Sequence, residues 1–312
     1  MDSTLALCSV GIPTYNRPDL LSATIAEIRN QSYRELQIII SDNASPDSQV
    51  ERIGREAAAA DPRIRYIRQP ENTGVRANFE FVLRQSTGKY FMWAADDDRR
   101  IDTYVEQLVA ELESRPSAVL CGMEVRYFTP SGQAPFFPQY EAIYEGLVGA
   151  RIEQIIAMIS CTGVANIIYG VFRREALFHN DIPAASFIGP TLNEHPLFAL
   201  VADKGEIFCL PQIGLFKRTS KKVFRHAKWE IAGGFRSSGG CFSISALRYH
   251  RDVFGELERT YRTLDLPGDQ IEKARCAARR ALTHHAIQLA VGWKPKRKAP
   301  MEKRQVDGGS AS

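Results

Sequence analysis

The chain is 312 residues long, with 44% hydrophobic and 24% charged residues and a formal net charge of +4. Those proportions exclude a collagen-like, coiled-coil or disordered polymer and describe a folded globular chain. At ~150 residues per domain the length accommodates one large domain or two small ones, with ample chain for a core.

The charge is unevenly placed. Between Ile271 and Arg304 there are 10 Lys/Arg against 2 Asp/Glu, which leaves 30 basic and 34 acidic residues elsewhere. A mildly acidic body with a basic tail gives no support to nucleic-acid binding. Six cysteines (Cys8, Cys121, Cys161, Cys209, Cys241, Cys276) stand without any CxxC spacing. They argue against a zinc cage or disulfide framework and fit a reducing, cytoplasmic compartment. The start MDSTLALCSVGI has no basic residue and too short an apolar run for a signal peptide. The uncharged stretch from Ile155 to Phe172 is 18 residues long and contains Ser160, Thr162, Gly163, Asn166 and Gly170, so it reads as a buried helix and strand.

In chain order, residues 5–12 read as a buried strand and 19–31 as a helix begun by Pro18. The apolar run 35–41 is a strand, 47–60 a helix, 63–68 a strand, 74–86 a helix and 89–95 a strand. A helix at 101–114 and a strand at 118–127 complete an alternation that predicts βαβ units and a mainly parallel sheet. Beyond the Pro/Gly-rich segment PSGQAPFFPQY come a helix at 148–160, a strand at 166–173, a helix at 195–204 and strands at 206–210 and 213–218. Residues 243–292 read as helical, and Pro295 and Pro300 lead into a Gly/Ser tail of disordered composition.

Ligands of a parallel α/β sheet bind beyond the carboxyl ends of its strands. The loops there read Pro13-Thr14-Tyr15-Asn16-Arg17, Asp42-Asn43-Ala44-Ser45-Pro46-Asp47 and Asp96-Asp97-Asp98. Three adjacent carboxylates raise one another's pKa unless a cation neutralises them. A hard divalent ion such as Mg²⁺ or Mn²⁺ takes one or two carboxylates together with phosphate oxygens. The competing role is a solvated turn capping the next helix. No GxGxxG or GxxxxGK[ST] follows the first strand, so a dinucleotide fold and a P-loop are disfavoured. Asp42 suits a base N–H or a ribose hydroxyl; an Asx turn capping helix 47–60 is the alternative.

PTYNR at 13–17, SDNASPD at 41–47, ENTGVRAN at 71–78 and GKYFMWAADDD at 88–98 resemble, in order and spacing, the motifs of family 2 glycosyltransferases. The resemblance covers about residues 5–220. It implies an α/β GT-A (Rossmann-like) fold with a mixed, mainly parallel sheet flanked by helices and a helical C-terminal extension. The corresponding division is a nucleotide-sugar-binding and catalytic domain at 1–220 and a helical extension with a basic tail at 221–312. It also implies a metal-dependent, inverting transfer of a sugar from a nucleotide-diphospho-sugar, with Mg²⁺ or Mn²⁺ as cofactor.

Carried over by position, Pro13, Thr14 and Asn16 match the loop lining the nucleoside, and Asp42 matches the acid contacting the base. Asn72, Gly74 and Arg76 fall in the loop approaching base and ribose. Asp96 and Asp97 match the DxD-like pair. The usual first Asp of that motif lies at Ala95, so Asp97 is expected as principal metal ligand, with Asp98 as a substitute. Glu194, 11 residues before Gly205, matches the catalytic base, although Asn193-Glu194 replaces the usual Glu-Asp. His226 resembles a third metal ligand, and Lys217 and Arg218 end the last core strand where a leaving diphosphate needs positive charge. His195 and Trp93 read as structural.

Ile271, Ala274, Ala278, Leu282, Ala286, Leu289 and Trp293 recur at helical spacing beside Lys273, Arg275, Arg279 and Arg280. A basic amphipathic helix suits the inner face of an anionic membrane; packing on the core is the alternative. Three functions are compatible with these residues: the glycosyltransferase, a catalytically degenerate nucleotide-binding scaffold, and a sugar-1-phosphate nucleotidyltransferase. The last is disfavoured by the absence of a glycine-rich basic loop after the first strand. The expected partners are a nucleotide sugar, with UDP the leading donor nucleotide, and a saccharide or lipid-linked acceptor used in cell-surface polysaccharide or glycolipid synthesis.

Overall fold

Apolar β-branched runs alternating with amphipathic segments assemble, in the computed structural model, into one eight-stranded sheet covered by helices on both faces. The structure describes residues 5–128, 164–183, 194–218, 254–255, 257–264 and 266–291. Its first half runs β1 (Cys8–Thr14), α1 (Pro18–Arg29), β2 (Leu36–Asp42), α2 (Ser48–Ala60), β3 (Ile64–Arg68), α3 (Val75–Arg84), β4 (Tyr90–Trp93), β5 (Arg99–Arg100), α4 (Tyr104–Ser114) and β6 (Ala118–Phe128). There follow β7 (Val171–Arg173), β8 (Phe178–His179), β9 (Ile182–Pro183), α5 (His195–Lys204), β10 (Glu206–Arg218) and α6 (Gly268–Val291).

The strand order is β3-β2-β1-β4-β7-β6-β10-β5. Pairings β2–β3, β1–β2, β1–β4 and β6–β10 are parallel, while β7 is antiparallel to both β4 and β6. Side chains on successive strand residues alternate between the two faces. Val10, Ile12, Ile38, Ile40, Tyr90 and Met92 therefore join one core with α1, α2 and α4. Ile39, Phe91 and Trp93 join the other, with α3, α5, helical residues 257–263 and α6. Trp93 is wholly buried, packs edge-on against Phe91 and Phe172, and donates its ring N–H to the Phe79 carbonyl at 3.0 Å. Pro13 is tolerated in a central strand because it comes after the β1–β4 ladder has ended at Gly11–Trp93.

Several expectations need correction. Residues 166–173 are not one strand: Val164–Tyr169 is a short 3₁₀ helix, and only Val171–Arg173 pair. Gly170 makes the join, since a Cβ there would collide with the Cys121 carbonyl. The two strands at 206–210 and 213–218 are one, β10, and Pro211 is absorbed by a register shift between Leu210 and Ile213. The helix expected from residue 101 begins at Tyr104, because Arg99 and Arg100 form β5 against Phe216 and Leu215. The C-terminal helical region breaks before Pro267, whose carbonyl accepts the first bonds of α6 from Gln270 and Ile271.

The apolar stripe of α6 is turned inward where its side chains are described. Ala274 and Ala278 are fully buried in the core shared with Trp93, and Ile271 packs against it. That surface is spent on the protein itself, leaving Lys273 and Arg280 outside. The side chains of Leu282, Ala286 and Leu289 and all of Trp293 lie outside the described residues, as do helix 148–160, the boundary at 220 and His226. Among the described residues, no helix is long and apolar enough to cross a membrane.

Gly54 in α2 gives a test of the packing. Glycine to alanine in a helix ordinarily gains about 1 kcal/mol. At Gly54 the added Cβ would fall inside the Tyr66 ring. Gly54→Ala is therefore expected to destabilise by about 1–3 kcal/mol, read as a lower urea midpoint at unchanged slope.

Candidate functional site

The carboxyl ends of β1, β2, β4 and β10 open onto one cavity of about 490 Å³. Pro13 and Thr14 reach it from β1, Arg76 from α3, and Asp96, Asp97 and Asp98 from the loop after β4. Glu194 lines it from the start of α5, and Lys217 and Arg218 from the end of β10. Asn16, Asp42, Asn72 and Gly74 do not line the cavity, whereas Tyr15, Arg17, Asn43, Asn78 and Tyr169 do.

The three aspartates diverge in environment. Asp96 is buried; its Oδ2 accepts from Thr14 Oγ1 at 2.8 Å and its Oδ1 from Arg17 Nη1 at 3.0 Å. Burial pushes its carboxyl above the usual range, with Thr14 and Arg17 pulling it back. Asp98 is buried too, and both its oxygens are taken, Oδ2 by Lys217 Nζ at 3.0 Å and Oδ1 by the Arg218 backbone N–H at 3.2 Å. Its carboxyl is likewise raised by burial, opposed by Lys217 and by the wholly buried Arg100. Asp97 is the accessible member, with one bond to its Oδ2 from Arg17 Nη1 at 3.1 Å. Its Oδ1 accepts from no described residue.

The loop after β2 is built from hydrogen bonds that free few groups for a ligand. Asp42 is fully buried and accepts from the Ser45 N–H at 2.8 Å, the Tyr66 hydroxyl at 2.7 Å and Arg68 Nη1 at 2.8 Å. Burial raises its pKa, but the donors from Ser45, Tyr66 and Arg68 outweigh burial and hold the carboxyl below its ordinary range. Asn43 stitches the neighbouring loop in place: its Nδ2 donates to Asn72 Oδ1 at 2.9 Å and the Gly74 carbonyl at 3.2 Å, and its Oδ1 accepts the Thr73 N–H at 3.0 Å. Gly74 at the start of α3 has φ of 86°, a conformation open to glycine and costly to other residues. Asn78 of α3 accepts from Ser41 Oγ at 2.5 Å and donates to the Ser41 carbonyl at 3.2 Å. Asn43 and Asn78 thus tie the end of β2 to the start of α3 at the cavity wall.

Glu194 stands at the N-terminus of α5, where its side chain makes no capping bond. Burial raises its carboxyl to about 6, with its own backbone N–H and Lys217 acting in the opposite sense. Lys217 is held between Asp98 and the Tyr169 ring, 4.0 Å from the ring centroid, and stays protonated against the cost of its burial. His195 begins α5, and its side chain is outside the description.

Sequence reasoning missed Arg17 and Tyr169. Arg17 carried a signal, standing at the N-cap of α1, a position that favours Ser, Thr, Asp or Asn. Tyr169 carried none, since only the packing of its 3₁₀ helix brings it under Lys217.

A mainly parallel sheet with helices on both faces and acidic strand ends around one polar cavity is a GT-A-like architecture. The chain belongs to glycosyl transferase family 2, whose pattern matches residues 9–173. Among curated relatives, GalNAc(5)-diNAcBac-PP-undecaprenol beta-1,3-glucosyltransferase of Campylobacter jejuni is 32% identical over 102 residues, 32% of this chain and 33% of that protein. WcaA of Escherichia coli (strain K12), a glycosyl transferase assigned to colanic acid biosynthesis, is 23% identical over 286 residues, 89% of this chain and 92% of that protein. The alignments with the first three curated relatives span 33%, 23% and 12% of their lengths. Among solved structures, mannosyltransferase PcManGT from Pyrobaculum calidifontis, in complex with GDP-Man and Mn²⁺, superposes with a TM-score of 0.60 at 16% identity over 93% of this chain and 74% of that one. Residues 1–349 of S. aureus TarS, in complex with UDP-GlcNAc, give 0.54 at 13% identity over 91% and 90% of the two chains.

Asp42 supports a stability test. Asp42→Ala removes three donors' acceptor and is expected to cost about 3 kcal/mol in denaturant unfolding. Because its native pKa lies below the ordinary 3.8, the stabilisation is present above that value and is lost as pH falls through the native pKa. The difference between the two proteins should therefore narrow in acid.

Proposed function

We propose that the protein is an inverting glycosyltransferase that moves a sugar from a nucleotide-diphospho-sugar to an acceptor hydroxyl, with Glu194 as base. The observation that carries this reading is that Glu194, raised to about 6, shares a single cavity with the aspartate run after β4. A carboxylate with that pKa is ionised at neutral pH yet more basic than an exposed one. In the transfer, the acceptor oxygen attacks the anomeric carbon while its proton passes to a Glu194 oxygen. The bond from that carbon to the diphosphate breaks as the new bond forms, and a single displacement inverts the centre.

The donor set fits a hard divalent cation. Asp97 presents an open carboxylate oxygen, and Asp96 lies next to it. One or two carboxylates completed by phosphate oxygens is how Mg²⁺ is bound. No group of three or more His, Cys, Asp or Glu forms a metal cage among the described residues, so the diphosphate itself would supply ligands. A bound Mg²⁺ or Mn²⁺ supplies charge neutralisation for the leaving diphosphate. Asp98 serves first to anchor Lys217, so Asp97 is the principal ligand in this reading. Arg76 and Arg218 line the cavity and bring further positive charge to the diphosphate. A lipid-linked saccharide acceptor is supported by the undecaprenol diphosphate in the Campylobacter relative's name, and UDP and GDP are the nucleotides named with the two superposed structures.

Calorimetric titration with UDP and GDP, each with Mn²⁺ and with chelator, tests the donor site. Metal-dependent binding of one nucleotide, abolished in Asp97→Ala, is expected; no binding of either would overturn the UDP or GDP donor site.

Glu194→Gln is expected to lower turnover by about 10²–10⁴-fold with nucleotide affinity unchanged, and the parent rate should rise with pH through about 6. The same substitution should stabilise the fold. A carboxyl whose native pKa is raised binds its proton more tightly when folded, so stability falls as pH rises from 4.5 to about 6. Removing the charge recovers on the order of 1 kcal/mol at pH 7.5. The gain in Tm should shrink as pH drops through that window.

A further inference from the structure

Arg17 breaks two local rules at once. It occupies the N-cap of α1, where a short side-chain acceptor normally satisfies an orphan N–H, and it makes no capping bond. It also places a positive charge at the positive end of the helix dipole, where an anion is favoured. Such breaks fall most often at functional or strained sites. The side chain is instead spent across the cavity: Nη1 lies 3.0 Å from Asp96 Oδ1 and 3.1 Å from Asp97 Oδ2. Two carboxylates from consecutive residues converge on one nitrogen. Among the described residues, no other cation touches either of them.

From this geometry we infer that Arg17 is the resident counter-ion of the Asp96–Asp97 pair, exchanged for the divalent cation only when that cation arrives with a diphosphate. The inference rests on the donor-site reading given above. A lone metal ion at the open Asp97 oxygen would sit beside the Arg17 guanidinium, a like charge at a helix N-terminus, and would reach Asp96 Oδ1 only by displacing that guanidinium. A metal–diphosphate complex brings anionic oxygens that pair with the freed guanidinium and with the N-terminal N–H groups of α1. The side chain is half exposed, 51%, so it is free to swing from the carboxylates to a phosphate without disturbing the core. Thr14 keeps its bond to Asp96 Oδ2 throughout, so that carboxylate stays aimed while its other oxygen is released. Metal and nucleotide are then coupled: each raises the affinity for the other, and Arg17 carries the coupling.

The test is Mn²⁺ binding followed by electron paramagnetic resonance of the free ion, with and without UDP or GDP, corrected for Mn²⁺ held by nucleotide in solution. The parent protein should bind Mn²⁺ alone weakly and at least about tenfold more tightly with nucleotide, and Arg17→Met should bind Mn²⁺ alone about tenfold more tightly than the parent. Arg17→Gln, which keeps donors and approximate length but not the charge, carries the same expectation if the methionine variant does not fold. Arg17→Lys, which keeps a charge, should stay near the parent value. Metal binding unchanged or weakened in both uncharged variants, with nucleotide-linked Mn²⁺ binding intact in the parent, overturns the role of Arg17 alone. Mn²⁺ bound by no variant, with or without nucleotide, overturns the donor-site reading as well.

Discussion

The neutralisation of carboxylates at the strand ends is the constraint on which the rest of the structure depends. Asp42, Asp96 and Asp98 are buried, and an ionised carboxylate out of water is costly unless charge or hydrogen bonds meet it. Each is met by a cation from a different element: Arg68 on β3, Arg17 before α1, and Lys217 on β10. These long-range pairs tie the outer strands and the first helix to the loops at the centre of the sheet. Lys217–Asp98 holds the acidic wall of the cavity in place, while the half-exposed Arg17 covers Asp96 and Asp97.

The surroundings of that wall carry costs that a merely structural loop would not retain. Arg100 is wholly buried behind Asp98 with Glu27 at 3.2 Å, yet its Nε and Nη2 have no partner among the described residues. Ala44, beside Asp42, has φ of 59°, a conformation unfavourable for a residue with a Cβ. Glu194 sits half-buried at a helix start without a cap bond. Strain, unsatisfied donors and a displaced carboxylate pKa on the elements that bear the cavity are the pattern expected of functional sites.

Much of the fold was legible because its signals are local. The runs at 35–41, 47–60 and 195–204 gave β2, α2 and α5 to within a residue, since apolar content, length and the helix-start residues Asp47 and Pro196 agree there. The misreadings fall where tertiary contact overrides propensity. Arg99 and Arg100 have no strand pattern, and they pair only because β10 is alongside. The gap expected between strands 206–210 and 213–218 is a bulge at Pro211 in one long strand. The alanine-rich stripe of α6 was equally compatible with a membrane surface and a core; contact with Trp93's cluster decides for the core at Ala274 and Ala278.

The sequence by itself determined the alternation of strands and helices through β4, the family, and the polar loops that the strand ends would present. Those follow from periodicity and from short motifs whose residues are neighbours in the chain. The tertiary structure alone decided which of those polar residues share a cavity and which are spent on one another. Asp42 is turned to Ser45, Tyr66 and Arg68, Asp98 to Lys217, and Asp97 is left open, while Tyr169 and Arg17 enter from distant segments. The reason is physical: a buried carboxylate takes whichever donor the packing brings within reach, and sequence spacing does not encode that distance.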